Sequence, residues 1–310
     1  MHQEVKGHSS MLLANILWGL MSPISKSLML GGILSPLVLT DIRITGAMLL
    51  FWLISFFRPV EKVAPKDMLS LFFASLLAIV FNQGFFILGV SMTSPGTASI
   101  ITTSLPLWTM LFSALILHEP ITGKKVLGIL MGAIGALLLI LGGSSSVAGN
   151  GPIWGDIFVI LAEMSYALYI VKYKNFISKY SLVTIMKWMF TFAFLSMLPF
   201  SLSDAVATEW GALGFKEIAS LVFIVVGATF FSYMLVLVGQ RILRPTITGM
   251  YNYVQPIVAC MVAICFGLDS FDAGKMVSIA FIFGGVYLVT QSLSRKDMEA
   301  RERQKTQKQV

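Results

Sequence analysis

Ten long apolar runs dominate this sequence of 310 residues. Each run has about the 20 residues that a helix needs to cross the hydrocarbon core of a bilayer. Backbone groups inside lipid must pair within their own segment, so these runs predict helices. Charged residues make up only 12% of the chain, against about 25% in soluble domains. The runs lie near residues 10–29, 35–57, 67–90, 95–117, 124–142, 153–172, 181–203, 216–239, 244–267 and 272–291.

An internal repeat with a spacing of 150 residues runs through the apolar sequence. Pro95 and Pro106 lie eleven residues apart, and the same pair returns as Pro245 and Pro256. A duplicated membrane bundle is typical of transporters. The positions that match at this spacing are Glu119 with Asp269, Lys125 with Lys275, Ile129 with Ile279, Gly135 with Gly285 and Leu138 with Leu288.

The basic residues predict the orientation of the chain. If the N-terminus is cytoplasmic, the cytoplasmic segments hold 17 of the 22 Lys and Arg residues, as the positive-inside rule requires. The net charge of +7 therefore reflects topology and attraction to anionic headgroups, and it does not indicate a nucleic-acid partner. The expected partners are the lipid bilayer and a small-molecule substrate.

The number of helices on each side of the repeat boundary predicts an inverted arrangement. Five apolar runs precede the small, uncharged stretch at 143–152 and five follow it. A unit with an odd number of crossings inserts upside down when it is repeated. The sequence thus predicts an all-α membrane protein of ten transmembrane helices, built as two inverted five-helix repeats with cytoplasmic N- and C-termini. Its predicted parts are a first repeat at 1–142, a periplasmic linker at 143–152, a second repeat at 153–291 and a charged cytoplasmic tail at 292–310.

The prolines predict two interrupted helices. Pro95 and Pro245 suit the first turn of helices 4 and 9, where a missing N–H does no harm. Pro106 and Pro256 are expected in mid-helix as kinks, each freeing the carbonyl four residues earlier. Broken helices at membrane depth are tolerated where the freed groups meet protein partners or water. The alternative is a kink that only shapes packing.

Polar and aromatic side chains within the apolar runs are the candidate substrate-binding residues, because polar groups are costly in hydrocarbon. Aromatic walls with a few amide and hydroxyl groups suit a zwitterionic or amphipathic small molecule. The candidates are Asn15, Trp18, Asn82, Gln83, Thr102, Thr103, Glu163, Tyr166, Tyr233, Tyr251, Asn252 and Gln255.

Charged residues within the runs suggest two further roles. Glu163 lies near the centre of a span and is a candidate for proton coupling or for binding a substrate amine; the alternative is a carboxyl hydrogen-bonded to a tyrosine or an asparagine. Lys26 and Asp41 approach the outer face, where they are expected as a gate pair or a structural ion pair, with Arg43 as a competitor for Asp41.

Signals for catalysis and for metal binding are missing from the sequence. His2, His8 and His118 are not at mid-depth, and there is no HExxH, Gly-x-Ser-x-Gly or Walker-type loop, so no enzyme activity, cofactor or metal site is expected. Cys260 and Cys265 fall on different helix faces and indicate neither a disulfide nor a metal pair. The glycine stripe of helix 5 indicates either close helix packing or a dimer seam, and it leaves both a monomer and a homodimer open. The stripe is Gly128, Gly132 and Gly135.

The chain also resembles a known family through a set of residues at and after the repeated prolines. The first copy carries Ala98, Ser99, Pro106, Glu119, Lys125, Gly128 and Gly135, and the second keeps Pro256, Lys275 and Gly285 but has Asp269 and Ser278. With the ten-helix layout, this pattern resembles the EamA family of the drug/metabolite transporter superfamily. The resemblance implies a secondary transporter that exports amino acids or related metabolites across a bacterial inner membrane by alternating access, with helices 5 and 10 peripheral to the cavity. The alternatives are a multidrug or sugar-derivative carrier of the same fold, and a channel.

Overall fold

The computed structural model describes residues 2–30, 34–92, 101–141, 153–265 and 273–293. Pro95, the predicted linker at 143–152, Asp269 and the tail beyond residue 293 lie outside the described residues. All regular structure in the described ranges is helical, so the all-α prediction is confirmed there.

The described elements follow the apolar runs. In chain order they are α1 (His2–Leu30), α2 (Pro36–Phe56), α3 (Pro65–Ser75, π-helical Leu76–Phe81, then Asn82–Met92), α4 (Leu105–Leu117), α5 (Gly123–Leu141), α6 (Ile153–Lys172), α7 (Leu182–Ala207), α8 (Phe215–Val222, π-helical Phe223–Phe231, then Ser232–Ile242), α9 (Pro245–Met250, 3-10 Tyr251–Tyr253, then Val254–Cys265) and α10 (Ala273–Thr290).

Several of these helices meet the requirements of a membrane span. Large apolar side chains such as Leu49, Leu130 and Phe283 are exposed on the outside of the bundle, as expected for a surface that faces lipid. Within the described residues, six helices are long and apolar enough to cross a membrane, and Leu105–Leu117 is a shorter apolar helix. The six are Pro36–Phe56, Pro65–Gly89, Ile153–Lys172, Leu182–Ala207, Phe215–Ile242 and Ala273–Thr290.

The glycine stripe packs α5 against α10. A Cβ on Gly128 would lie 2.6 Å from the carbonyl oxygen of Gly285, and a Cβ on Gly135 would lie 2.6 Å from that of Ser278. Ser278 and Gly285 are the residues 150 positions after Gly128 and Gly135, so the contact is symmetric between the two copies. It is also antiparallel, because the lower number of one helix meets the higher number of the other. The stripe is filled within the chain, which contradicts its interpretation as a dimer seam.

Two further close contacts are equivalent in the two repeats. In one, α3 packs against α6, and in the other, α8 packs against α1. A Cβ on Gly89 would lie 2.8 Å from the carbonyl oxygen of Gly155 and 2.5 Å from Val159. Gly239, 150 positions after Gly89, is held in the same way, because a Cβ there would meet the Met11 side chain and the Gly7 carbonyl oxygen. The partners Gly7 and Gly155, and Met11 and Val159, are 148 positions apart. This spacing makes Asn15 the counterpart of Glu163, and Trp18 the counterpart of Tyr166.

The two π-helical stretches also occupy related places in the repeats. The stretch in α3 ends at Phe81 and the stretch in α8 ends at Phe231, 150 residues later. A π-helical stretch adds a residue to a turn and is frequently found at functional sites. In each copy the next two residues are polar, Asn82 and Gln83 in α3 and Ser232 and Tyr233 in α8.

Charged side chains join several loops and helix ends at one end of the bundle. The Lys174 Nζ donates to the carbonyl oxygen of Leu243 at 2.6 Å, and the Arg244 Nη2 donates to that of Ser292 at 2.9 Å. The Lys125 Nζ lies 2.9 Å from the Glu119 Oε2. We call this the basic end of the bundle.

The surroundings of two lysines at the basic end shift their pKa values in opposite directions. Burial lowers the pKa of Lys174 to about 8, because the charged form loses water. The hydrogen bond with Asp67 raises the pKa of Lys179. Lys125 is buried against Glu119. Lys275 is buried in the first turn of α10.

Candidate functional site

The repeated prolines lie where α4 and α9 change their geometry. Thr103 and Ser104 form a turn, and α4 begins after them with Pro106 in its first turn. Pro106 was expected to kink a continuous helix at its middle. The structure instead interrupts the helix at Thr103 and Ser104, just before Pro106. In α9, the helix tightens into a 3-10 stretch at Tyr251–Tyr253 and continues as an α-helix that contains Pro256.

One hydrogen bond joins the two interrupted segments at equivalent points. The Asn252 Nδ2 donates to the carbonyl oxygen of Thr102 at 3.1 Å, and the two residues are 150 positions apart. Pro106 has no N–H with which to pair this carbonyl along the helix. The side-chain amide of the second copy therefore donates to the carbonyl with which the proline of the first copy cannot pair.

A cluster of side-chain amides surrounds this bond. The Gln255 Nε2 donates to the Asn252 Oδ1 at 2.6 Å and to the Asn15 Oδ1 at 3.1 Å. The Asn15 Nδ2 donates in turn to the Met11 carbonyl oxygen at 2.8 Å. The structure thus brings together three candidates from α1 and α9 and joins them to Thr102.

Aromatic candidates form a second part of the site. The ring of Trp18 makes edge contacts with Tyr166 and Tyr233, at centroid distances of 6.5 and 5.7 Å. Its Nε1 donates to the Ala228 carbonyl oxygen at 3.0 Å, which fixes the indole against α8. Trp18 and Tyr166 are counterparts in the two repeats, so equivalent aromatic rings meet here as the equivalent residues Thr102 and Asn252 do.

A polar chain leads from α6 through α3 to α2. The Asn82 Nδ2 donates to the Ala162 carbonyl oxygen at 3.1 Å, and the Gln83 Nε2 donates to the Asn82 Oδ1 at 3.4 Å. The Gln83 Oε1 accepts from the Arg43 Nη1 at 3.3 Å. The sequence had placed Arg43 beside Asp41 at the outer face, whereas the structure turns it inward to the candidate site. Its polar neighbours come from α3 and α8, and nothing in the sequence close to Arg43 signals this.

Glu163 is buried near these groups without a recorded partner. Its side chain is 6% exposed, and in the described part of the chain it makes no hydrogen bond and no ion pair. Its counterpart Asn15 accepts from Gln255, but the residue 150 positions before Gln255 is Leu105, which has no donor. The repeat thus explains why an amide meets Asn15 and none meets Glu163.

The remaining candidates lie apart or are only partly described. The Tyr251 hydroxyl lies 2.6 Å from the His8 Nδ1, so it bonds outside the amide cluster. Thr103 is buried in the turn before α4. The side chain of Lys26 lies outside the described part of the structure, so the proposed gate with Asp41 remains a prediction. Asp41 lines a groove of about 360 Å³ with other residues of α2, with Ala205 of α7, Val225 of α8, and Trp210 between these two helices.

Metal-ligating residue types are scattered in the described ranges. There, no group of three or more His, Cys, Asp or Glu side chains lies close enough to hold a metal ion. Cys260 and Cys265 are not joined by a disulfide bond. The polar groups that the fold brings together are therefore amides, hydroxyls, one guanidinium and one carboxyl, which can bind and orient a small molecule by hydrogen bonds and charge.

The fold has a close match among solved structures. One crystal structure superposes with a TM-score of 0.75 at 19% sequence identity, covering 94% of this chain and 99% of the other. At this identity the match shows the fold alone.

Similar sequences are named as transporters. An uncharacterized transporter of Archaeoglobus fulgidus is 27% identical over 65% of this chain and 69% of its own length. The uncharacterized transporter YetK of Bacillus subtilis is 22% identical over 85% and 80% of the two chains. The uncharacterized inner membrane transporter YicL of Salmonella typhimurium is 23% identical over 94% and 97%.

The family comparison covers almost the whole membrane part of the chain. The EamA-like transporter family matches residues 5–141 and again residues 153–291. Two matches to one family model agree with the symmetric contact of α5 with α10 and with the equivalent contacts that Gly89 makes with Gly155 and Gly239 makes with Gly7. The resemblance found in the sequence is thereby confirmed, and the chain belongs to the EamA-like transporter family of multi-pass membrane proteins.

Proposed function

We propose that this protein is a secondary transporter that exports amino acids or related small metabolites across the bacterial inner membrane by alternating access. The observation that carries the proposal is the hydrogen bond from Asn252 to the Thr102 carbonyl. It joins equivalent points of the two repeats, beside a cluster of amides and aromatic rings. A site on the symmetry axis of two repeats can open to either face by related motions.

The antiparallel packing of α5 and α10 supports an inverted repeat. These helices are counterparts, and they run in opposite directions across a symmetric contact of Gly128 with Gly285 and of Gly135 with Ser278. The two repeats then lie upside down relative to each other, each with five spans. The proposal takes the basic end as cytoplasmic, because positive charge is retained on that side. The similarity to an inner membrane transporter supports the location.

The chemistry of the cluster supports a small polar substrate with an apolar part. Trp18, Tyr166 and Tyr233 offer aromatic surface, and Asn252 and Gln255 offer amide donors and acceptors. A buried carboxyl at Glu163 can bind a substrate ammonium group or carry a proton. Binding the amine and binding the proton at the same carboxyl would exclude each other, and this exclusion is a simple basis for proton exchange.

The proposal is tested by counterflow in proteoliposomes that contain the purified full chain. We expect unlabelled amino acids or related metabolites to drive uptake of the labelled compound, and Asn252→Ala or Tyr166→Ala to reduce the flux at least about ten-fold, the effect of removing one good buried contact. Asn175→Ala, an exposed loop asparagine, is the matched control and should transport normally.

Other outcomes of the same assay contradict the proposal in identifiable ways. Counterflow only with bulky lipophilic cations or with nucleotide sugars would replace it by a multidrug or sugar-derivative carrier. Ion conductance far above carrier turnover would indicate a channel. Normal flux in both Asn252→Ala and Tyr166→Ala would place the substrate site elsewhere.

A further inference from the structure

Arg43 is a buried cation whose recorded partners are all neutral. The residue is 8% exposed. Its Nε donates to the Thr229 Oγ1 at 3.2 Å and its Nη1 donates to the Gln83 Oε1 at 3.3 Å. A guanidinium has five N–H donors, so these two bonds leave three without a recorded acceptor. In the described part of the chain, the ion pairs within 4.0 Å join Lys125 to Glu119 and Lys179 to Asp67, and no carboxylate lies that close to Arg43.

The second repeat shows that the fold does not need a charge at this place. Ser35 and Ser181 cap α2 and α7 in the same way, each accepting at its Oγ from the backbone N–H three residues later. The spacing of 146 between these caps makes Met189 the counterpart of Arg43.

The neighbour of Arg43 is replaced as well. At the spacing of 150 that Gly89 and Gly239 set for α3 and α8, the counterpart of Thr229 is Ile79. Met189 and Ile79 are each only 1% exposed. The apolar residues Met189 and Ile79 thus occupy the position that is equivalent by symmetry to that of Arg43 and Thr229. Since an unpaired buried charge is costly, packing alone gives no reason for Arg43.

We propose that Arg43 binds the carboxylate group of the transported molecule. This inference rests on the proposed function and names its substrate class as small organic carboxylates, amino acids included. The planar guanidinium offers paired N–H groups that match the two oxygens of a carboxylate. Thr229 and Gln83 fix its orientation through one Nε and one Nη1 bond, and leave the second Nη1 hydrogen and both Nη2 hydrogens for the ligand.

The charge at the site favours a carboxylate over a phosphate. The hydrogen-bonded neighbours of Arg43 are a hydroxyl and an amide, so the site presents a single positive charge, which one carboxylate neutralises. The polar chain through Gln83 and Asn82 leads to the Ala162 carbonyl beside Glu163. An amino acid carries both complementary charges, and its carboxylate on Arg43 would point its ammonium group toward the α6 side of the cluster.

The test compares acids with their uncharged amides. In the counterflow assay, each accepted substrate competes with the same compound as its primary amide, in the wild type and in Arg43→Met, the residue of the second repeat. We expect the wild type to prefer the acid, and the preference to fall about ten- to a hundred-fold in Arg43→Met, as for a lost charge-assisted hydrogen bond. Arg43→Lys should keep part of the preference, because the charge remains and the fork is lost.

Control variants separate a specific effect from a general loss of charge or of folding. Lys187→Met removes a cation that lies 4.7 Å from the Trp52 ring centroid and should keep the full preference. If Arg43→Met does not yield folded protein, Arg43→Met with Thr229→Ile introduces the apolar pair of the equivalent position, Met189 and Ile79, and the comparison is made in that double variant. A folded Arg43→Met protein with the wild-type preference for acids would overturn the inference.

The remaining outcomes distinguish this inference from the proposed function. A wild-type protein that transports amides as well as acids, or phosphate monoesters better than carboxylates, keeps the carrier and overturns the carboxylate site. If nothing in the panel is transported, the proposed function fails. Thermal stabilisation of the purified protein by sodium salts of carboxylic acids then still tests Arg43. Stabilisation that is lost in Arg43→Met supports the site, and stabilisation that persists there overturns it.

Discussion

At the scale of single residues, two buried charges stand where the repeats differ. Glu163 replaces an asparagine at its counterpart, and Arg43 replaces a methionine. The aromatic rings of Trp18 and Tyr166 and the close contacts at Gly89 and Gly239 recur in both repeats, while each charge occurs once. Residues that the framework does not need are therefore the ones that we connect to substrate and to coupling.

Glu163→Gln is expected to uncouple transport from a pH gradient. The amide keeps the shape of the side chain but cannot bind a proton at neutral pH. Counterflow should therefore persist, at a higher KM because the charge that binds an ammonium group is lost, while acceleration by an imposed pH gradient disappears. The measurement is labelled uptake with and without the gradient, in both proteins. Asn15→Ala is the control at the equivalent position, where we expect the gradient response to remain. A wild type indifferent to the gradient would remove the coupling role.

Asn252→Asp is expected to destabilise the protein by about 0.5–1.5 kcal/mol, because the carboxylate cannot donate to the Thr102 carbonyl and the hydrogen bond between the repeats is lost. The midpoint of thermal unfolding in detergent measures the effect. Asn175→Asp, in an exposed loop, should leave the midpoint unchanged. Equal midpoints for wild type and Asn252→Asp would mean that the bond between the repeats contributes nothing to stability.

At the scale of helices, the close packing of α5 on α10 gives opposite expectations for two glycines. Gly128→Ala would place a Cβ 2.6 Å from the backbone oxygen of Gly285, and a backbone atom cannot rotate away. Gly84 has no atom within 4 Å of its Cβ position, so Gly84→Ala should stabilise α3 by up to about 1 kcal/mol. Thermal unfolding should therefore move down for Gly128→Ala and up for Gly84→Ala. A rise in both midpoints would contradict the helix contact.

The contacts at the basic end lead to an expectation about local opening. The Arg241 Nε donates to the Ile177 carbonyl oxygen at 2.7 Å, which ties α8 to the segment at 173–181. Arg241→Met removes this bond, so amide hydrogen exchange of that segment should be faster than in the wild type. Lys172→Met, an exposed lysine nearby, is the control with unchanged exchange. Protection equal to that of the wild type in Arg241→Met would show that other contacts hold this end.

The sequence predicts the large features because they depend on local chemistry. Apolar runs of span length give the helices, and the proline spacing points to Thr102 and Asn252 because a missing N–H frees a carbonyl at a fixed distance along the chain. The contact of Gly128 with Gly285 could not be assigned from the stripe alone, since small residues pack equally well within a chain and between chains.

The features that the sequence misses depend on tertiary contacts. The surroundings of Arg43 are built by Gln83 and Thr229, which are far from it in the chain. The sequence did not reveal that Asn15 and Glu163 are equivalent, because the repeat spacing is 150 at the prolines but 148 in the first helix of each repeat. Pro106 was expected in mid-helix, since nothing in the sequence separates a bend from a break.

At the scale of the whole molecule, the central claim is that one polar cluster between two inverted repeats opens to either face of the membrane. The most direct measurement is labelling of Thr102→Cys by a membrane-impermeant thiol reagent, in a Cys260→Ala/Cys265→Ala background, with reagent applied from one face at a time. The account predicts labelling from each face and protection by a transported substrate. Labelling from one face only, or labelling from both that no substrate reduces, would contradict it.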